Sequence, residues 1–260
     1  MIALFPTRTV AVDLFGFAIH WYGLLYLVAF LLAAWLLPRL QQYRNLRLTS
    51  EEWMSIISWA VLGVIVGGRL GYVLFFERSH FLRHPAEIIM VWKGGMSSHG
   101  GFIGVAIALS LACLLKRIDP WKLADVVVVP AAIGLALGRL GNFINQELYG
   151  TATTLPWGIT VPGVEGFVHP TQLYGILKDL LIACACFLHL RYAKTIRPGR
   201  TFALFLMLYG ILRFLLEFLR VQSYPLVVFG GIALSRGQLL TIPVFIAGLV
   251  VWFVFRRKAR

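Results

Sequence analysis

The chain alternates long runs of apolar residues with short polar segments. An α-helix rises about 1.5 Å per residue, so about 20 residues are needed to cross the hydrocarbon core of a bilayer. The pattern therefore predicts about seven transmembrane helices, of which the third is short and adjoins a glycine-rich segment. The runs occupy about residues 17–38, 55–76, 100–116, 122–141, 170–190, 201–219 and 237–255.

The composition supports a membrane location for these helices. The 260 residues are 59% hydrophobic and 13% charged, with a mean hydropathy of +0.81, whereas soluble domains carry about 25% charged residues. The short alternating segments typical of a membrane β-barrel are absent from the sequence. The first apolar run is too long for a cleavable signal peptide. The predicted fold class is an all-α polytopic membrane protein, with residues 1–260 forming a single membrane domain.

The basic residues are distributed unevenly among the polar segments. The net charge of +13 first suggests nucleic acid binding. However, most loop Lys and Arg residues fall in 39–47, 116–122, 191–200 and 256–260, which alternate along the chain with less basic loops. The positive-inside rule then predicts a periplasmic N-terminus and a cytoplasmic C-terminus. Anionic membrane lipids, and no nucleic acid, are the expected partners of these basic loops.

The longest outer loop, at about 142–169, contains several Gly and Pro residues and no Lys or Arg. We expect it to form a small folded periplasmic cap between the fourth and fifth helices. Two similar segments, GGRLGYV at 67–73 and LGRLGNF at 137–143, end the second and fourth helices. Close helix packing through small residues and an old duplication both explain this similarity, and the sequence leaves the choice open.

Polar residues within the apolar runs lie at one predicted level, near the outer leaflet. Ionisable groups inside a membrane are costly and are functional candidates. Four of them, spaced 4, 4 and 3 residues apart in the sixth helix, share one helix face. The set comprises His20, Tyr22, Arg69, His99, Arg139, Asn142, Asn145, Glu147, His169, Gln172, Tyr209, Arg213, Glu217 and Arg220.

Structural roles explain some of these residues equally well. Arg69 is expected to bind backbone carbonyl groups or to extend toward the membrane surface, and Arg213 with Glu217 could form a structural ion pair. His20 lies beside Trp21 and Tyr22 in what resembles an aromatic belt. The charged residues at 178 and 179, Lys and Asp, receive no role beyond pairing with each other.

His99 stands out because glycines flank it on both sides. Gly100 and Gly101 lack side-chain bulk, so they allow a ligand to approach the backbone, and a neutral imidazole accepts a proton near pH 7. The guanidinium groups of Arg139 and Arg213 suit bidentate binding of phosphate. This combination favours a phospholipid substrate whose phosphate is held while a neighbouring bond breaks. The three cysteines show no metal-binding spacing, and we expect no metal or cofactor.

Five segments, in this order and spanning nearly the whole chain, resemble the bacterial phosphatidylglycerol–prolipoprotein diacylglyceryl transferases. They are HWYGL (20–24), GGMSSHGG (94–101), GRLGNFINQELYG (138–150), HPTQLYG (169–175) and YGILRFLLEFLR (209–220). The resemblance implies an inner-membrane enzyme with seven helices that transfers diacylglyceryl from phosphatidylglycerol to the lipobox cysteine thiol of a prolipoprotein. Glycerol phosphate is the expected second product.

The resemblance also implies roles for individual residues. The essential histidine of the family matches His99, and the two essential arginines of the family match Arg139 and Arg213. Because a free thiol has a pKa of about 8.5, His99 is expected to act as a general base or proton shuttle. The arginines are expected to stabilise the leaving phosphate. Tyr209 completes the catalytic set as an orienting group, and Glu217 is expected to keep Arg213 aimed. The expected substrate-binding residues include three further positions within the motifs, Gly100, Gly101 and Asn145. The full set is Tyr22, Gly100, Gly101, Arg139, Asn142, Asn145, Glu147, Gly150 and Glu217.

The chain departs from the family pattern at three positions that bear on substrate fit. Gly175 stands where an acid is usual, Arg236 where methionine is common, and Ser98 where an aromatic residue is usual. Two other function classes fit the sequence less well. A transporter would show broken helices and polar groups on the inner side, and an intramembrane protease using Ser97 or Ser98 with His99 would leave the arginines unexplained.

Overall fold

The computed structural model describes residues 9–193, 197–222, 225–230 and 232–257. Helices dominate, and two short hairpins accompany them. The helices are α1 (Trp21–Leu40), α2 (Ser50–Phe75), α3 (Arg78–Arg83), α4 (Ser98–Lys116), α5 (Pro120–Ile144), α6 (Thr171–Tyr192), α7 (Arg200–Glu217) and α8 (Arg236–Arg257). The strands are β1 (Val10–Leu14), β2 (Phe17–His20), β3 (Val227–Phe229) and β4 (Ile232–Leu234), and single turns of 3-10 helix occupy Gln41–Arg44, Pro85–Ile89 and Val91–Lys93.

Among the described residues, six helical segments are long and apolar enough to cross a membrane: Trp21–Arg44, Ser50–Phe75, His99–Lys116, Pro120–Ile144, Thr171–Tyr192 and Arg236–Val254. The chain is therefore a multi-pass helical membrane protein. Helix α7 has 18 residues but carries Arg200, Arg213 and Glu217. The count of seven crossings and the orientation of the termini stay predictions. Four predicted loop charges, at positions 8, 194, 258 and 260, lie outside the described residues.

The first predicted span was wrong at its beginning. Residues 17–20 form strand β2, paired antiparallel with β1, and the helix begins at Trp21. The connecting turn places Phe15 at φ 55° and Gly16 at φ 87°, and the Gly16 N–H donates to Asp13 Oδ1 at 2.9 Å. Two successive residues at positive φ are typical of a tight hairpin turn. A short apolar run has no clear period, so strand and helix look alike in sequence.

The chain divides into two compact units. The first contains the residues up to Leu36 and those from Ala124 onward, and the second contains Leu37–Leu123. The boundaries fall inside α1 and α5, so each of these helices contributes to both units. The single membrane domain expected from the sequence stays a prediction.

In the second unit, α2 and α4 pack backbone against backbone through glycines. A Cβ atom on Gly63 would lie 2.9 Å from Ala108 Cβ, one on Gly67 would lie 2.6 Å from Gly104 Cα, and one on Gly71 would lie 2.7 Å from Gly100 Cα. All three distances are too short for real side chains. The packing interpretation is thus confirmed for the segment ending α2.

The similar segment in α5 behaves differently. A Cβ on Gly134 would make an ordinary 3.6 Å contact with Ala29 Cβ, and one on Gly138 would meet no described atom within 4 Å. Close packing therefore does not explain the glycines of both segments, and the duplication stays an open prediction.

Arg69 is buried in the second unit and binds backbone carbonyl groups. Its guanidinium donates to the carbonyl oxygens of Glu87 (2.6 Å), Ile88 (2.9 Å), Gly94 (2.5 Å) and Gly95 (3.1 Å). These bonds tie the segment before α4 to α2. The expectation that Arg69 binds backbone carbonyl groups is confirmed.

In the first unit, α7 packs on α6 and α8, and its N-terminus is capped from α5. The buried carboxylate of Asp125 accepts from the N–H groups of Gly199 (3.1 Å) and Phe202 (2.9 Å), where the helix dipole favours negative charge. Helix α5 runs on to Ile144, so the predicted cap boundary at 142 falls inside the helix. The segment after it is folded by isolated bridges, including Gly150 with Arg220.

Candidate active site

A cavity in the first unit brings four basic side chains together. Helix α5 contributes Arg139, α6 contributes Lys178, α7 contributes Arg213, and the turn after α7 contributes Arg220. We call this the cationic cavity. Its remaining lining residues are Leu148, Thr171, Gln172, Gly175 and Leu216. The expected arginine pair thus lines one cavity, although 74 positions separate its members in the sequence.

Glu217 holds two of the four cations. Arg213 forms an ion pair with it one helical turn away, and Arg220 approaches the same oxygen, Oε2, at 3.5 Å. The Glu217 side chain is 5% exposed and lies against Gly237, where any Cβ would overlap the carboxylate. Gly237 lies in the first turn of α8, whose N-terminal dipole favours a carboxylate. This geometry agrees with the expectation that Glu217 aims Arg213.

The pair on α6 supplies the fourth cation. Lys178 and Asp179 form a buried ion pair, with side chains 4% and 2% exposed. Lys178 Nζ also lies 4.5 Å from the centre of the Tyr209 ring, a cation–π distance. Tyr209 itself stacks on Phe205. The catalytic candidate Tyr209 is therefore held in place by a lysine to which the sequence assigned no role.

Arg139 has space because residue 175 is glycine. A Cβ there would lie 3.0 Å from Arg139 Cδ. Arg139 Nη1 donates to Asn142 Oδ1 at 3.3 Å, and Asn142 Nδ2 donates to Glu147 Oε1 at 2.9 Å. Tyr22 also joins this network, since its hydroxyl donates to Glu147 Oε1 and accepts from Asn142 Nδ2. Four expected site residues thus form one hydrogen-bonded chain.

Two further substrate-binding candidates occupy the connection after α5. Gly150 donates its N–H to the His169 carbonyl at 2.9 Å, and a Cβ there would lie 2.7 Å from His169 Cβ. A Cβ there would also lie 2.5 Å from the Leu219 carbonyl oxygen, so the glycine allows the cap to pass close to the turn after α7. The Asn145 side-chain oxygen, Oδ1, is buried and accepts no hydrogen bond from the described residues.

His99, Gly100 and Gly101 belong to the second unit. His99 is exposed in the first turn of α4, which Ser97 caps by accepting from the Gly100 N–H at 3.3 Å. Gly100 packs on α2, since a Cβ would lie 2.9 Å from Gly71 Cα, whereas a Cβ on Gly101 would make only a 3.8 Å contact with the Val64 carbonyl oxygen. Helix packing is a sufficient reason for glycine at 100, and no described contact requires glycine at 101. The structure does not describe the Ser98 side chain.

Known proteins match this chain over almost its full length. The model of the family described as prolipoprotein diacylglyceryl transferase matches residues 9–254. The chain belongs to this family. A relative from Cereibacter sphaeroides, named phosphatidylglycerol–prolipoprotein diacylglyceryl transferase, is 41% identical over 96% of this chain and 95% of the relative. Relatives with the same name from Geobacter sulfurreducens and Pasteurella multocida are 43% and 39% identical, covering 92% and 93% of this chain and 92% and 89% of their own lengths.

The structure adds four residues to the site. Lys178 and Arg220 line the cavity, Asp179 pairs with Lys178, and Gln172 Nε2 donates to the Glu147 carbonyl at 2.8 Å. One signal could have pointed to the α6 pair, namely two adjacent opposite charges in the middle of an apolar run. Arg220 shares the helical spacing of Tyr209, Arg213 and Glu217, and that spacing indicated its position.

Proposed function

We propose that this protein transfers the diacylglyceryl group of phosphatidylglycerol to a prolipoprotein. Its membership of the transferase family, and the shared name of relatives that align over nearly the whole chain, support this activity. We place the reaction at the cationic cavity, because four basic side chains within a helical membrane protein are suited to bind a lipid phosphate.

The bond changes follow from the chemistry of the two substrates. The acceptor is the thiol of the lipobox cysteine. Its sulfur attacks the CH2 carbon of the diacylglyceryl group that is bonded to the phosphate oxygen. The C–O bond breaks, its electron pair stays on the phosphate oxygen, and the thiol proton passes to a base. The products are a thioether-linked diacylglyceryl protein and glycerol phosphate. No metal or cofactor takes part in these steps.

Arg139 and Arg213 stabilise the charge that develops on the phosphate. Their shared position in the cavity supports this role, as does the geometry of a guanidinium, which binds two phosphate oxygens at once. Glu217 fixes the direction of Arg213, and Tyr209 orients the lipid head. On the other side of Arg139, the chain of Asn142, Glu147 and Tyr22 fixes the guanidinium.

His99 is the proposed base that receives the thiol proton. The family resemblance supports this role, and the His99 side chain is exposed rather than packed in the core. A thiolate is a much stronger nucleophile than a thiol, so removal of this proton accelerates the attack. Gly101 is proposed to leave room beside His99, because no described packing contact requires a glycine at that position.

The enzyme is proposed to lie in the bacterial inner membrane with seven crossings. The N-terminus and the cap face the periplasm, the C-terminus faces the cytoplasm, and the site opens toward the outer leaflet. The distribution of Lys and Arg among the loops supports this orientation.

The proposal is tested with purified protein in detergent, phosphatidylglycerol labelled in both acyl chains, and a synthetic lipobox peptide. We expect label on the peptide, one glycerol phosphate released per thiol consumed, and no label on a matched peptide with serine in place of cysteine. The bond should resist neutral hydroxylamine, which cleaves thioesters but not thioethers. Hydroxylamine-labile label, or a lysophospholipid co-product, would show that an acyl chain moves instead.

A further inference from the structure

The buried pair on α6 has no role in the mechanism above. Lys178 and Asp179 are almost fully buried, and burial of an ion pair costs desolvation energy that the mutual attraction does not always recover. A pair placed only to stabilise the helix could lie anywhere along α6. This lysine instead lines the cavity that holds Arg139 and Arg213.

The Lys178 ammonium retains donors that can bind a ligand. It carries three N–H groups, and among the described contacts the hydrogen bond to Asp179 Oδ1 uses one of them. The Tyr209 ring, 4.5 Å away, covers one side of the ammonium without accepting a conventional hydrogen bond. The lysine is therefore held in a fixed position while part of its hydrogen-bonding capacity remains open to the cavity.

The charges in contact at the cavity do not cancel. The lining contains four cations, and two carboxylates, Asp179 and Glu217, pair with three of them. These six groups leave a net charge of +2. A third carboxylate, Glu147, is linked to Arg139 through Asn142, and counting it as well leaves a net charge of +1.

A cavity with net positive charge attracts the leaving group more strongly than the substrate, because the leaving group carries more negative charge. Phosphatidylglycerol is a phosphodiester with one negative charge, whereas a phosphate monoester carries about −1.5 to −2 at pH 7. The second charge appears on the phosphate as the C–O bond breaks. A cation that faces this oxygen binds the transition state more strongly than the ground state, which is the condition for catalysis.

We propose that Lys178 binds the departing phosphate and that the cationic cavity is a binding site for the released glycerol phosphate. Asp179 and Tyr209 act as positioning residues for the ammonium. The use of this site during turnover rests on the proposed function, but binding of a phosphate monoester to the cavity does not. The cavity thus distinguishes phosphate monoesters from diesters.

The first test uses the unaltered protein in detergent. Glycerol phosphate and the diester glycerophosphoglycerol, both free of acyl chains, are compared as ligands by equilibrium binding and as inhibitors of transfer. A charged hydrogen bond typically changes affinity by about 10- to 100-fold, so we expect the monoester to bind at least about tenfold more tightly near pH 7.5. Equal affinity for the two compounds would overturn the proposal.

The second test separates phosphate binding from the pairing with Asp179. Lys178→Met alone leaves a buried carboxylate without its partner, so the informative variant is Lys178→Met with Asp179→Asn, which removes both charges. We expect this double variant to fold, to bind glycerol phosphate about 10- to 100-fold more weakly, and to lose kcat by a similar factor with a smaller change in KM. Lys122→Met, in the first turn of α5, is the matched control and should retain binding and turnover.

The outcomes distinguish the two proposals. A folded double variant with wild-type affinity for glycerol phosphate would show that Lys178 pairs with Asp179 but does not bind phosphate. If the double variant does not fold, the comparison of monoester and diester on the unaltered protein decides the matter. If the unaltered protein transfers no lipid yet binds the monoester preferentially, the proposed function fails while the anion site stands.

Discussion

The neighbouring glycines at 100 and 101 test which residues of α4 serve helix packing and which leave room for the substrate. In Gly100→Ala, the new methyl group would overlap the Gly67 carbonyl oxygen and lie 2.9 Å from Gly71 Cα. Carbon atoms in contact are normally about 3.5–4.0 Å apart. The helices must therefore separate by about 0.5–1 Å, and a gap of that size loses about a quarter to a half of each dispersion contact.

The magnitude follows from two opposing contributions. Overpacking of a tight interface costs about 1–3 kcal/mol, and the greater helix propensity of alanine offsets up to about 1 kcal/mol. We expect Gly100→Ala to lower the free energy of unfolding by about 1–2 kcal/mol, which is roughly a tenfold change in the unfolding equilibrium. Gly101→Ala places its methyl 3.8 Å from the Val64 carbonyl oxygen, so its stability should be unchanged or slightly higher.

The assay is equilibrium unfolding in mixed detergent micelles, with transfer activity measured on the same preparations. If Gly101 leaves space for the lipid beside His99, Gly101→Ala should lose transfer activity while it keeps its stability. Gly100→Ala should mainly lose stability. Equal stability of Gly100→Ala and the unaltered protein would refute the packing argument. Full activity of Gly101→Ala would remove Gly101 from the substrate-binding residues.

Three further substitutions test the remaining assignments. His99→Gln should remain folded, because His99 is exposed. Its transfer rate should fall by about 10²–10⁴-fold. Near-normal turnover would show that another residue is the base, with Glu147 the next candidate. Arg139→Lys and Arg213→Lys should each impair transfer strongly, because an ammonium lacks the rigid planar fork of paired N–H donors that a guanidinium offers. Lipid binding and turnover at the unaltered level would make both arginines structural. Arg69→Lys should instead lower thermal stability more than it lowers the rate per folded molecule, since Arg69 binds four backbone carbonyl groups; the reverse pattern would give Arg69 a direct part in catalysis.

Much of the fold could be read from the sequence, because the bilayer imposes a simple rule on it. A helix that crosses hydrocarbon must be apolar over about 20 residues, so each of the seven predicted runs overlaps a helix of the structure. The predicted beginning of the first helix was wrong because Phe17, Ala18 and Ile19 of strand β2 are as apolar as the helix that follows them. That strand pairing depends on the turn at Phe15 and Gly16, a local feature that hydropathy does not record.

The residue types of the site were also determined by the sequence, whereas their partners were not. Arginine, tyrosine and glutamate in apolar runs are conspicuous because burial of a polar group is costly, and for this reason Tyr22, Arg139, Arg213 and Glu217 were identified. The sequence could not reveal that Gly175 makes space for Arg139, because such proximity arises only when α5 and α6 pack together.

Only the tertiary structure shows which groups surround Lys178 and Gly100 and which carbonyl groups Arg69 binds. All three lie in or beside apolar runs, and nothing in their sequence neighbours distinguishes a ligand-binding group from a packing group. Contacts with residues distant in sequence make the distinction. Lys178 lies against Tyr209 and lines the cationic cavity. Arg69 binds four carbonyl groups, and Gly100 packs on the backbone of α2. Hydrophobic pattern determines which segments enter the membrane. The close approach of particular helices determines which polar groups meet, and that approach depends on the shapes of the side chains that pack between them.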